Sequence, residues 1–209
     1  RRHPAHGVGW KLLAAVLKGR GDIDGAVHAG LQAIKRWPDD PETLSNLGNA
    51  LQGQGRNEEA VQCYERALEI DPQLADAMRR SGVALLGSGK YKEAEAALRR
   101  ASEAEPEHAG AWANLGDSLQ FQHRYDDALR AYERGLQVNP DLPELLNNIG
   151  AAYRGKGDLK TAQRYFERAF EVSPSLSSAR INVANTRNSL GFIDVAIGRH
   201  REILKLDPG

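Results

Sequence analysis

Residues 41–74 read PETLSNLGNALQGQGRNEEAVQCYERALEIDPQL, and the spacing within that stretch decides the fold. Leu44, Leu47 and Leu51 recur at intervals of three and four, which puts their side chains on one face of a helix. Gly53-Gln-Gly55 then breaks the pattern, as a helix end with a left-handed residue does. A second helical run carrying Ala60 and Tyr64 follows, and Pro72 closes it. Proline cannot donate a backbone hydrogen bond, and it disfavours helix at the residue before it. Pro41 opens the first helix, where a missing donor costs nothing. The stretch is predicted to be two antiparallel helices joined by a glycine turn.

Working outward, the closing proline repeats. Pro4, Pro38, Pro72, Pro106, Pro140, Pro174 and Pro208 each lie 34 residues from the next. Placing proline at position 32 of a unit divides the chain into 7–40, 41–74, 75–108, 109–142, 143–176 and 177–209. Position 20 is then alanine six times: Ala26, Ala60, Ala94, Ala128, Ala162 and Ala196. Position 8 is always small (Ala14, Gly48, Gly82, Gly116, Gly150, Ala184), and position 24 is aromatic at Tyr64, Tyr132 and Phe166. Two helices approach closely only where one side chain is small, so these columns mark crossing points filled by large neighbours. Pro143, like Pro41, opens a first helix.

On the period of 34 and these columns the chain resembles the tetratricopeptide repeat family over essentially its whole length. The resemblance implies an all-α, right-handed superhelical solenoid of antiparallel helix pairs, with the first helix of each pair lining a concave groove. It implies a scaffold that binds an extended peptide or a partner protein there. Residues 1–6 are expected to be the end of a preceding repeat or a linker, and 7–209 a single array of six repeats.

Composition narrows the alternatives. The chain is 41% hydrophobic and 27% charged, enough to bury a core. Lys plus Arg equals Asp plus Glu, so the basic surplus expected of a nucleic-acid binder is missing. Cys63 stands alone, which leaves no internal disulfide and no thiolate cluster. No apolar run is long enough to cross a bilayer, and a cytoplasmic location is expected. The six histidines lack ligand spacing with a carboxylate, and no nucleophile motif appears, so neither a metal, a cofactor nor catalysis is expected. Gly19-Arg-Gly21, Gly87-Ser-Gly89 and Gly155-Lys-Gly157 recur in register with Gly53-Gln-Gly55, which makes them inter-helix turns rather than phosphate loops.

The binding residues implied by the resemblance lie on the first helices. Position 6 carries Leu12, Asn46, Arg80, Asn114, Asn148 and Asn182, and position 9 carries Ala15, Asn49, Val83, Asp117, Ala151 and Asn185. Arg154 joins the same face, which is chemically mixed: Arg79, Arg80 and Arg154 stand against Glu42, Asp76, Asp117 and Glu144. A carboxamide offers both a donor and an acceptor, as a peptide bond does, so an asparagine ladder can pair with an extended backbone. The same amides can instead bond between neighbouring helices, and both readings stand at this point. Lys11, Asn46 and Arg80 match a carboxylate clamp found in some repeats, but Ala15 and Asp76 break it.

His3 through Leu17, the Asn46–Asn49 string and the discontinuous Asn114, Asn148 and Asn182 ladder are similar to arrays that precede a glycosyltransferase domain. These are arrays of the O-linked N-acetylglucosamine transferase and SPINDLY kind. A substrate-recruiting arm of a larger transferase is therefore the alternative to an independent scaffold. Both ends look cut, with further chain expected upstream of Arg1 and a hand-over near Gly209. The final helix carries Ile193, Val195, Ile197, Ile203, Leu204 and Leu206, and self-association through it is expected. Arg180, Arg187 and His200 stand where other units carry large apolar residues.

Overall fold

The computed structural model describes the backbone of residues 4–206 and the side chains of 9–193 and Ile197. It contains eleven helices and, among the described residues, no strand. They are α1 (Pro4–Gly19), α2 (Ile23–Arg36), α3 (Pro41–Gly53), α4 (Asn57–Ile70), α5 (Ala75–Gly87) and α6 (Tyr91–Ala104). There follow α7 (Ala109–Phe121), α8 (Tyr125–Val138), α9 (Pro143–Gly155), α10 (Leu159–Val172) and α11 (Ser177–Leu206). The chain forms two compact units, Arg1–Ser118 and Leu119–Gly209.

The start and stop signals act as read. Each of α2, α4, α6, α8 and α10 ends two residues before its closing proline. Pro41 and Pro143 sit in the first turns of α3 and α9, and the carboxylates of Asp22, Asp40 and Asp158 accept backbone N–H bonds as N-caps. Turn glycines Gly21, Gly55, Gly89 and Gly157 take φ between 73° and 84°, the left-handed region. The fourth turn has His123 in their place, at φ 59°. Pro4 stands in the first turn of α1, a place open to proline.

Within Arg1–Ser118, α1 to α6 each pack on the next, and α1 also lies against α3 and α3 against α5. Crossing points are tight. A Cβ added to Gly48 would lie 2.7 Å from a Tyr64 ring carbon, and one at Gly82 would run into the Leu98 side chain. Tyr64 and Leu98 are fully buried. Within Leu119–Gly209, α8 packs on α9, α9 on α10 and α10 on α11. There Phe166 closes over Gly150, and Leu146, Ala169 and Ala179 form a buried cluster flanked by Leu136, Tyr165, Phe170 and Leu176.

Residues 177–209 depart from the expected helix pair, because α11 runs unbroken from Ser177 to Leu206. The place of the turn is occupied by Ser189-Leu190-Gly191-Phe192. Leu190 is a good helix former, and the apolar Phe192 stands where the preceding turns carry Asp22, Arg56, Lys90, Arg124 and Asp158. Ile193 and Ile197 are exposed on α11; the side chains of Val195, Ile203, Leu204 and Leu206 lie outside the described residues, as does that of His200.

Candidate peptide-binding face

In Arg1–Ser118 the first helix α3 lies against α1 on one side and α5 on the other. Asn46 on α3 is half-buried, as is Asn114 at the same repeat position on α7. Neither side-chain amide has a hydrogen-bond partner among the described residues. Asn49 is different: it is buried, and its Oδ1 accepts the Tyr64 hydroxyl at 2.8 Å. This bond ties α3 to α4. Asp117 is half-buried on α7.

Arg80 is held on its own helix. Its Nε donates to Asp76 at 2.6 Å, and Arg79 donates to the other carboxylate oxygen. Burial opposes charge on Asp76, but the Arg80 and Arg79 guanidiniums outweigh it and hold the carboxyl below its ordinary range. Lys18, on α1, is held below the usual lysine range by burial and by the nearby Arg80 charge. Lys11 bridges Asp40 at 3.1 Å and Glu42 at 2.5 Å, so α1 is clipped to the start of α3.

In Leu119–Gly209 the amides are used between helices. Asn182 Nδ2 on α11 donates to Asn147 Oδ1 on α9 at 2.9 Å, and Arg154 donates to Asn182 Oδ1 at 2.8 Å. The Arg154 guanidinium also lies 5.5 Å from the centroid of the Phe166 ring. Asn148 is half-buried on α9, and Asn185 is exposed on α11. Among the described residues no cluster of three His, Cys, Asp or Glu side chains is placed to hold a metal ion. Burial raises the Cys63 thiol above its ordinary range, which keeps it protonated near neutral pH.

Asn147 and Lys18 were not singled out by the sequence, because they lie one position before column 6 and three positions beyond column 9. A signal for Asn49 was present. Where position 24 is Tyr64, position 9 is the amide that its hydroxyl requires; where it is Leu98 or Phe166, position 9 is Val83 or Ala151.

The family of cilia and flagella-associated protein 70 C-terminal domains, a tetratricopeptide-repeat family, matches residues 9–196. The chain belongs to that family. No curated protein sequence matches this tetratricopeptide chain. Among solved structures, one of MamA protein is similar at 27% identity over 82% of this chain and 93% of that one, with a TM-score of 0.72. A Pseudomonas aeruginosa pilF structure aligns at 19% identity, covering 97% of this chain and 92% of that one at TM-score 0.75. YrrB, a tetratricopeptide protein with an unusual peptide-binding site, aligns at 20% identity over 81% of this chain and 88% of its own, TM-score 0.68. At these identities the last two show the fold, an all-α tetratricopeptide array. No helix of the described residues is long and apolar enough to cross a membrane.

Proposed function

We propose that the chain is a protein-interaction scaffold whose first-helix face in Arg1–Ser118 takes an extended polypeptide segment. The observation that carries the reading is the pair Asn46 and Asn114: both are half-buried at one repeat position and both lack a hydrogen-bond partner among the described residues. Half-buried amides with donors and acceptors to spare suit a peptide backbone, which supplies the complementary groups. The mixed charges beside them, Lys18, Arg79 and Arg80 against Asp76, add selection for side-chain sign. The peptide-binding site of YrrB, on the same fold, is consistent with such a role. Nothing in the comparisons favours the arm of a glycosyltransferase, and that reading is not carried further.

The test is to pan a phage-displayed random peptide library on the chain and map the bound peptide by amide hydrogen exchange. Protection centred on α3, α5 and α7 is expected. Protection confined to the second helices α2, α4 and α6, or no selected peptide at all, would overturn the proposal.

A further inference from the structure

Four of the five preceding turns use a glycine at positive φ, but Gly191, at the same repeat position, lies within α11 and is not among the positive-φ residues. The consequence is visible on both sides of it. In other units the small residue at position 8 is covered by the second helix, as Gly150 is by Phe166. Its counterpart Ala184 is exposed, together with Ile181. Beyond Gly191, Phe192 is 79% exposed, and Ile193 and Ile197 are exposed with it. Residues 192–206 keep the repeat's marks, including Ala196 at position 20, without folding back on residues 177–190. The first-helix place around Ala184 is therefore open, and so are Phe192, Ile193 and Ile197 in the half that would cover it.

We propose that α11 is the exchange arm of a dimer, in which residues 192–206 of each copy pack on residues 177–190 of a second copy. The occupant follows from the repeat itself, since in units such as α9–α10 a first helix is covered by a second helix of the same pattern. The fused helix selects another copy over the chain's own half. Closing back would require Gly191 to enter the left-handed region and would place the apolar Phe192 at the polar first place of the new helix, where every preceding turn has Asp, Arg or Lys. Exchange of an identical element makes those contacts without the turn and closes with two-fold symmetry. The contact forms no part of the first-helix face proposed above and does not depend on it.

Light scattering across a concentration series tests the idea on the chain and two variants. Gly191→Ala adds a Cβ that meets no atom within 4 Å, so it fits the fused helix and is strained in the turn. Helix propensity then weighs further against a folded-back monomer and leaves the open one unchanged relative to the dimer, so dimerisation is predicted to be at least as tight as in the parent chain. The double change Phe192→Asp with Ile193→Pro installs the cap and first-turn proline found elsewhere in the chain, and predicts a monomer of unchanged helicity. A strictly monomeric parent chain would overturn the proposal. So would a dimer that Gly191→Ala weakens, or one that survives the restored turn, as expected of nonspecific sticking through an apolar patch.

Discussion

Gly82 and Leu98 meet where α5 crosses α6, and no room remains there for a methyl group. Gly82→Ala is therefore expected to lower stability by about 1–3 kcal/mol, the usual cost of overpacking, measured by urea denaturation. His123 gives the opposite sign. It holds φ 59° where four other turns have glycine, so His123→Gly should stabilise by roughly 1 kcal/mol despite losing its contact with the Tyr125 hydroxyl. At this scale the sequence was legible wherever a column repeated, because glycine at position 8 and bulk at position 24 are steric necessities. It was less legible for the asparagines. Asn46 and Asn49 look alike as letters, and only the partner Tyr64, 15 residues beyond Asn49, separates an amide used within the pair from one that is not.

Between helices, single polar groups set local stability. Asp40 caps α3 through the Thr43 amide and ties it to Lys11 on α1. Burial works against its charge, but the Thr43 hydroxyl and amide and the Lys11 ammonium prevail and hold the carboxyl below its ordinary range. A carboxyl depressed in the folded state contributes stability above its unfolded pKa and loses it as pH falls through the folded one. Asp76 is depressed in the same direction. Stability is thus expected to be flat from neutral pH to about 5 and to fall below about 4, and Asp40→Asn should flatten part of that fall. An acid titration of unfolding free energy on both chains checks it. Helix boundaries were readable from proline and from the turn glycines in four of the first five turns. The sixth was not, because Leu190 and Phe192 let helix continue past a glycine that the periodicity alone marks as a turn.

Within each unit, stability is a sum of nearest-neighbour interfaces, since successive helices such as α3 to α6 and α8 to α11 pack on one another. A chain ending at Ser173 is expected to lose the α10–α11 interface and unfold at lower urea while keeping the helicity of α1 to α10. Loss of all helicity by circular dichroism would refute this additive picture. The central claim is that unbonded amides on the first helices bind polypeptide whereas bonded ones only hold the fold. It is tested by measuring melting temperature and affinity for one selected peptide on two variants. Asn46→Ala with Asn114→Ala should weaken binding by roughly 5- to 100-fold, at about 0.5–1.5 kcal/mol for each of two hydrogen bonds, and leave melting nearly unchanged. Asn49→Ala should strand the Tyr64 hydroxyl and lower melting, with affinity nearly intact in the folded protein. The reverse pattern, a double variant that melts far lower yet binds the peptide as tightly as the parent chain, would contradict the claim.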